Sequence, residues 1–171
     1  LRRMVAIIID DLDPAELGKI RVPQVAILGD VKSVLVQLTK AVKPKKHPAW
    51  RKQVAAWKKQ APLAFENEKG GKLKPQFILS QLQKVTKGEP ILATDVGQHQ
   101  MFAAQYYHPT RTRSFLTSGG SGTMGYGYPA AIGAKVGCID REVWCVTGDG
   151  SFQMNIQELA TGVLYDIPGK I

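Results

Sequence analysis

The chain has 171 residues, of which 44% are hydrophobic and 22% are charged. This composition is typical of a folded globular protein and excludes an intrinsically disordered one. The longest apolar run, over 4–9, is too short to span a bilayer, and no signal peptide is recognisable. We therefore expect one domain or two smaller pieces, and no membrane partner.

The net charge of +9 is concentrated in one part of the chain. Residues 32–74 contain twelve Lys and Arg residues and two Glu, so this part carries +10 and the rest carries −1. The basic residues are mostly Lys and fall on two predicted helices and a linker, without an Arg-rich or interleaved aromatic pattern. A solvated helix face is the favoured interpretation, and nucleic acid is not the expected partner.

The first part of the chain resembles the end of an α/β unit, because short apolar runs and turn residues precede helical periodicity. Two helices are predicted in this part of the chain. A Lys- and Pro-rich segment that breaks the helical pattern separates them, and a charged, glycine-containing linker follows the second. The predicted elements are a strand over 4–9, a helical turn over 13–18 capped by Asp13, a strand over 25–28, and helices over 31–42 and 49–60.

The second part alternates strands with helices, which implies a parallel sheet covered by helices on both faces. Ligands bind at the carboxyl ends of such strands, where we expect the loops 95–99, 118–125 and 148–151 to meet. The elements are strands over 91–94, 114–117 and 143–146, and helices over 75–85, 99–107, 129–136 and 151–165. Cys145 lies in the last strand and is interpreted as a packing residue; with Cys138 it shows no metal-ligand spacing.

The most informative motif is Gly148-Asp149-Gly150, which follows an apolar strand and precedes a helix. A carboxylate between two glycines can hold a hard cation such as Mg²⁺, and N–H groups at the helix start can hold a diphosphate bound to that cation. A plain turn is the alternative interpretation of this motif.

Two further segments leave alternatives open. Residues 120–125 match the G-x-G-x-x-G pattern of dinucleotide-binding sites. In such sites an acidic residue about 20 positions further on ends the next strand, whereas Asp140 precedes that strand. A loop that approaches some other ligand therefore fits as well. Gln98 and His99 follow a strand end, where they could donate to phosphate oxygens or serve as surface and capping residues.

Taken together, four motifs closely resemble the large catalytic subunits of the acetolactate synthase (acetohydroxyacid synthase) family of thiamine diphosphate enzymes. They occur in the family's order, whereas Gly-Asp-Gly alone would indicate only some thiamine diphosphate enzyme. Residues 11–19 and 29–31 resemble the end of the central domain of this family. The four motifs are residues 95–101, 117–125, 129–134 and 148–152.

The resemblance implies that the chain is an internal fragment of a longer subunit. Residues 1–43 would be the C-terminal piece of a Rossmann-like, flavin-binding central domain, 44–73 a helical linker, and 74–171 the amino-terminal part of a truncated diphosphate-binding domain. The activating glutamate of the family is expected in an absent pyrimidine-binding domain. No catalytic residue is therefore expected in this chain, and alone it should be inactive.

The resemblance also implies a reaction: pyruvate is decarboxylated on thiamine diphosphate, and the two-carbon unit is joined to pyruvate or 2-oxobutanoate, towards the branched-chain amino acids. The implied cofactors are thiamine diphosphate, Mg²⁺ and FAD. The implied partners are 2-oxo acids, further copies in a homodimer or homotetramer, and a regulatory small subunit. The expected location is the bacterial cytoplasm or a plastid.

Site residues are carried over by position. Asp149 would bind Mg²⁺, Gly122 would hold the aminopyrimidine through its backbone, and Met124 would lie beneath the cofactor and bend it. Ser151 would offer its N–H and hydroxyl to the diphosphate. Three residues would flank the flavin: Asp11, Leu12 and Asp30. The other residues around the diphosphate would be Val96, Gly97, Gln98, His99, Gly148 and Gly150.

The chain also departs from the family pattern. Ser121 stands where Leu is usual, Gly169 where Val is usual, and Asp10 where an apolar strand residue is expected.

A pyruvate oxidase or 2-oxo acid decarboxylase remains an alternative enzyme, and a basic α/β binding module remains a non-enzymatic one. An open sheet edge predicts poor solubility of the chain by itself.

Overall fold

The protein is described from a computed structural model, which covers residues 7–66 and 70–171. The chain divides into two compact units, which we call unit 1, up to Ala61, and unit 2, from Pro62. Residues 4–6 of the first predicted strand lie outside the described residues. Within the described residues, no helix combines the length and the apolar character needed to cross a membrane.

Unit 1 is built on two parallel strands, β1 (Ile8–Asp11) and β2 (Val25–Leu28). β1 extends two residues beyond the predicted end, because the backbones of Asp10 and Asp11 pair with β2 whatever their side chains are. A 3₁₀ turn over Pro14–Glu16 connects the strands. As predicted, the Asp13 carboxylate caps it, accepting the Ala15 N–H at 2.9 Å.

Two helices complete unit 1, α1 (Val31–Ala41) and α2 (Pro48–Gln60), and both were predicted to within one residue. None of residues 7–61 is fully buried. On α2, Trp50 and Trp57 pack edge to face with ring centroids 5.5 Å apart. Unit 1 therefore holds its shape through strand pairing and local caps, and it buries little apolar surface.

Unit 2 contains a three-stranded parallel sheet of order β4-β3-β5. All predicted strands and the first three predicted helices of this unit are confirmed to within two residues at each end. The strands are β3 (Ile91–Thr94), β4 (Phe115–Thr117) and β5 (Val143–Val146). The helices are α3 (Pro75–Thr86), α4 (Gln98–Tyr106) and α5 (Gly127–Gly137).

Helices cover both faces of this sheet, which confirms the predicted α/β architecture. Because successive strand residues point to opposite faces, β3 contributes to two separate cores. Ile91 and Ala93 pack against α5, together with Cys145 of β5. Leu92 packs on the other face against residues of α3 and α4. Cys145 is a buried core residue, as predicted, and burial raises the pKa of its thiol to about 12.

The predicted helix over 151–165 is wrong as a single element. The structure has two short helices instead, α6 (Asp149–Met154) and α7 (Glu158–Leu164). Asn155 interrupts them, with φ at −129° and a side-chain amide that donates to the Gly125 carbonyl at 2.7 Å. A polar side chain that finds such a partner competes with helix continuation. Asp149 consequently lies in the first turn of α6.

Beyond α7 the chain returns to the sheet. The backbone of Lys170 accepts the Cys145 N–H at 2.7 Å and pairs in parallel with Trp144. The edge of β5 that was expected to be open is therefore occupied at this point.

Candidate cofactor site

The three loops that follow β3, β4 and β5 meet at one edge of the sheet, as the parallel arrangement predicts. Side-chain contacts join them. The Ser151 hydroxyl donates to the Val96 carbonyl at 3.0 Å, and the Gln100 side chain donates to the Thr117 hydroxyl at 2.8 Å. These contacts place residues 95–98, 118–126 and 148–151 around a common surface.

Asp149 is exposed at this edge, in the first turn of α6, with Gly148 as the N-cap residue. The apolar strand β5 leads the chain to this position, and the side chain is turned to solvent. Within the described residues, no three His, Cys, Asp or Glu side chains converge in a way that could hold a metal ion. A single carboxylate suits Mg²⁺, which commonly binds one or two protein carboxylates together with phosphate oxygens.

The loop 118–126 carries Met124 towards α6. Its base is closed by Ser118, whose carbonyl accepts the Gly122 N–H at 3.1 Å and whose hydroxyl accepts the Thr123 N–H at 2.9 Å. Gly122 is exposed and has φ at +62°, which favours glycine. The Met124 side chain is 42% exposed, and its methyl carbon lies 3.9 Å from the point where a Cβ on Gly150 would stand. Met124 thus reaches the start of α6 and leaves an apolar group open to a ligand.

The His99 imidazole fills the space between two glycines of the site. A Cβ on Gly97 would lie 2.8 Å from His99 Cε1, and a Cβ on Gly148 would lie 3.3 Å from the same atom. Burial lowers the pKa of His99 below its ordinary value of 6.5, partly opposed by the Asp95 carboxylate. His99 is therefore neutral at pH 7, and its imidazole lies between the loops that carry Gly97 and Gly148. Gln98 is exposed at the start of α4.

The Ser151 hydroxyl has a hydrogen-bond partner within the chain. The Ser151 side chain is only 2% exposed, and its hydroxyl donates to the Val96 carbonyl instead of facing the open surface. The hydroxyl is thus used to attach α6 to the loop after β3. Its backbone N–H lies in the first turn of α6. The N–H groups in the first turn of a helix have no acceptor within the helix and can donate to an anion.

Sequence reasoning missed Asp95, which is 1% exposed and lies at the centre of the loop cluster. Its carboxylate accepts the N–H groups of Val96, Gly125 and Gly127 at 2.8, 2.9 and 2.8 Å. An acidic residue directly after an apolar strand was the available signal. Two of its three partners, Gly125 and Gly127, lie thirty or more positions away, so the sequence could not identify them.

In unit 1, the structure places Asp11 and Asp30 at the same edge of the β1–β2 pair. The Gly29 N–H donates to the Asp11 carbonyl at 3.0 Å, and the Asp11 carboxylate accepts the Asp13 N–H at 2.9 Å. Asp30 caps α1, accepting the Ser33 N–H at 3.0 Å. Leu12 is 72% exposed. The three predicted flavin-site residues thus lie at the carboxyl ends of neighbouring parallel strands.

Residues 95–171 match the family model described as thiamine pyrophosphate enzyme, C-terminal TPP binding domain. Thiamine pyrophosphate is the same compound as thiamine diphosphate, and the matched range contains all three loops of the site. The geometry fits this cofactor, because an exposed carboxylate, the start of a helix and an exposed methionine adjoin one another at the sheet edge.

The chain is also similar to large subunits of acetolactate synthase. It is 44% identical to the large subunit of Buchnera aphidicola (strain Sg) over 161 residues, which are 92% of this chain and 28% of that protein. It is 45% identical to acetolactate synthase 2, chloroplastic, of Nicotiana tabacum, with 94% of this chain and 25% of the relative covered.

Escherichia coli K12 provides a third relative, the large subunit of acetolactate synthase isozyme 3, which is 41% identical with 92% of this chain covered. The predicted resemblance to this enzyme family is therefore confirmed. The chain spans about a quarter of the length of these relatives, from 25% to 29%.

Proposed function

We propose that the chain is part of an acetolactate synthase catalytic subunit, which decarboxylates pyruvate and joins the two-carbon unit to a second pyruvate or to 2-oxobutanoate. The observation that carries the proposal is the meeting of three loops, one of which carries the exposed Asp149, within a thiamine pyrophosphate domain. The similarity to acetolactate synthase large subunits over 92–94% of the chain supports this choice within the family.

When bound, thiamine diphosphate supplies the chemistry that stabilises the carbanion formed on decarboxylation. In the proposal, Asp149 holds the Mg²⁺ that accompanies the diphosphate, and backbone N–H groups of Gly150 and Ser151 donate to its oxygens. The exposed Met124 side chain would offer an apolar contact to the bound cofactor. Val96, Gly97 and His99 contribute by keeping the loops after β3 and β5 at a fixed distance.

We further propose that unit 1 takes part in holding FAD, beside Asp11, Leu12 and Asp30. The shared strand edge that carries these residues supports this placement, because ligands of parallel sheets bind at such edges. In this proposal 1–43 end a flavin-binding domain, 44–73 form a linker, and 74–171 begin the thiamine diphosphate domain. Oligomerisation and a regulatory small subunit belong to the same proposal.

The test compares two proteins, the 171-residue chain and the product of the complete coding sequence. Each is purified and incubated with pyruvate, thiamine diphosphate, Mg²⁺ and FAD, and acetolactate is measured. We expect the complete protein to form acetolactate and the chain alone to form none, because the activating glutamate is expected in another domain.

Each outcome of this test is informative. Acetate or free acetaldehyde in place of acetolactate would favour an oxidase or a decarboxylase. Acetolactate made by the 171-residue chain alone would contradict the proposal that further domains are required. Flavin absorbance that co-purifies with the complete protein and decreases in Asp11→Ala is expected for the proposed flavin site.

A further inference from the structure

A buried carboxylate lies at the centre of the loop cluster. Asp95 is 1% exposed, and none of the ion pairs among the described residues involves it. Its two oxygens instead accept three backbone N–H groups, those of Val96, Gly125 and Gly127. A buried charge is costly unless hydrogen bonds satisfy it, and N–H groups donate strongly to a carboxylate. This arrangement therefore ties the loop after β4 firmly to the end of β3.

The loop is shaped for this carboxylate. A Cβ on Gly127 would lie 2.7 Å from the Asp95 backbone nitrogen, so only glycine allows the approach that is observed. Gly125 has φ at +88°, a conformation that glycine adopts without strain. Both glycines thus permit the contact that their N–H groups make.

A second side chain holds the next peptide along the chain, the one that joins Gly125 to Tyr126. The Asn155 amide, which directly follows α6, donates to the Gly125 carbonyl at 2.7 Å. The Gly125 N–H that Asp95 accepts belongs to the peptide bond joining Met124 to Gly125. The position of Met124 over the start of α6 therefore depends on Asp95 and Asn155 together.

We infer that Asp95 and Asn155 are positioning residues, which fix Met124 against the first turn of α6 and so prepare the cofactor site before the cofactor binds. This inference rests on the proposed function. Asp95 is buried beneath the loop, so it acts through the Met124–Gly125 peptide and contacts no ligand itself. Preorganised supporting contacts of this kind commonly strengthen binding at a site without forming part of its surface.

The experiment measures thiamine diphosphate binding to the complete subunit in the presence of Mg²⁺, by titration calorimetry and by near-ultraviolet circular dichroism of the bound cofactor. Asp95→Asn keeps the shape of the side chain but turns an NH₂ group towards a backbone N–H. We expect the Kd for the cofactor to rise about 10- to 100-fold. Asn155→Ala removes one hydrogen bond, and we expect a rise of about 3- to 10-fold.

Ser114→Ala is the matched control for a loss of stability alone. Ser114 is equally buried, at 1% exposure, and its hydroxyl is bonded to Arg141, but it precedes β4 at the opposite end of the sheet. We expect this variant to lower the Tm and to leave the Kd within about twofold, because it removes a buried hydrogen bond far from the loops. A purely structural role for Asp95 would lower the Tm in the same way without changing the Kd.

The outcomes separate this inference from the proposed function. If the parent protein binds no thiamine diphosphate, the proposed function is wrong. If the parent binds it and both Asp95→Asn and Asn155→Ala bind it with unchanged Kd and unchanged dichroism, the inference is wrong. Should Asp95→Asn fail to fold, the half-buried Asn155 decides alone: unchanged Kd and unchanged hydrogen exchange of residues 118–127 in Asn155→Ala would overturn the inference.

Discussion

Units 1 and 2 both place an aspartate directly after a parallel strand or at its end, yet the two environments differ. In unit 2, Asp95 is buried and holds distant glycines in place. In unit 1, Asp11 and Asp30 accept N–H groups from residues two and three positions away. Local sequence produces the caps in unit 1, whereas the long-range contacts of Asp95 require a sheet that is covered on both faces.

The cores show the same contrast. Leu92 of β3 is fully buried, at 0% exposure, while Leu28 of β2 is 59% exposed. A strand residue contributes much to stability only where helices cover its face, because the free energy gained depends on the apolar area removed from water. Within the described residues, a packed core therefore supports the candidate cofactor site of unit 2, and no such core supports the strand edge of unit 1.

The largest expected effect comes from a matched pair of truncations, Leu92→Ala and Leu28→Ala. We expect Leu92→Ala to lower the free energy of unfolding by about 2–5 kcal/mol, because it leaves a cavity between the sheet and two helices. Leu28→Ala should change it by less than about 1 kcal/mol. Equilibrium urea denaturation of both variants and the parent measures this difference. Similar losses for the two variants would show that the contrast between the units is incorrect.

The next effect concerns the exposed carboxylate of unit 2. In the complete subunit, we expect Asp149→Asn to weaken the Mg²⁺-dependent binding of thiamine diphosphate by about 100-fold or more. The thermal stability of the apoprotein should stay nearly unchanged, because the side chain is exposed. Calorimetric titration and a thermal scan test the two statements. Asp140→Asn, also exposed, is the control, and equal binding by both variants would remove Asp149 from the site.

A smaller effect is expected at the cap of α1 in unit 1. Asp30→Ala removes the acceptor of the Ser33 N–H, and we expect a loss of about 1 kcal/mol in the free energy of unfolding of that unit. Asp30→Asn retains an oxygen acceptor and should recover most of it. Urea denaturation followed by far-ultraviolet circular dichroism is the measurement. An Asp30→Asn variant as unstable as Asp30→Ala would indicate that the charge matters more than the cap.

The smallest expected effect is a pH dependence at His99. Its pKa in the folded chain lies below the ordinary value of 6.5, because burial disfavours the charged imidazole. The unfolded chain therefore takes up this proton first as the pH falls, so the stability contributed by neutral His99 is present at pH 7 and is lost below 6.5. His99→Gln should reduce the loss of stability on acidification.

His47→Gln, a change at an exposed histidine that precedes α2, is the control for this measurement. Urea denaturation at about pH 7 and about pH 5.5 gives the difference for each variant. The prediction is incorrect if the parent, His99→Gln and His47→Gln lose the same free energy of unfolding on acidification.

The sequence was sufficient to predict most of the elements and the edge at which the site lies. The apolar strands of unit 2 and the glycines after them predicted a parallel sheet with three adjoining loops, and Asp149 was predicted at the end of β5. These predictions succeeded because strand periodicity and glycine-rich turns are local properties of a chain. The motifs that resemble acetolactate synthases also lie in continuous segments, so they could be recognised without coordinates.

Only the tertiary structure decided what Asp95, Ser151 and Asn155 do. Each side chain has a partner far away in the sequence: Gly125 and Gly127 for Asp95, Val96 for Ser151, and Gly125 again for Asn155. No local pattern specifies which distant N–H or carbonyl group a polar side chain will meet, because folding brings the two together. The sequence alone therefore determined at which edge of the sheet the three loops meet and that Asp149 follows β5, while the packing of the loops determined which side chains hold them together.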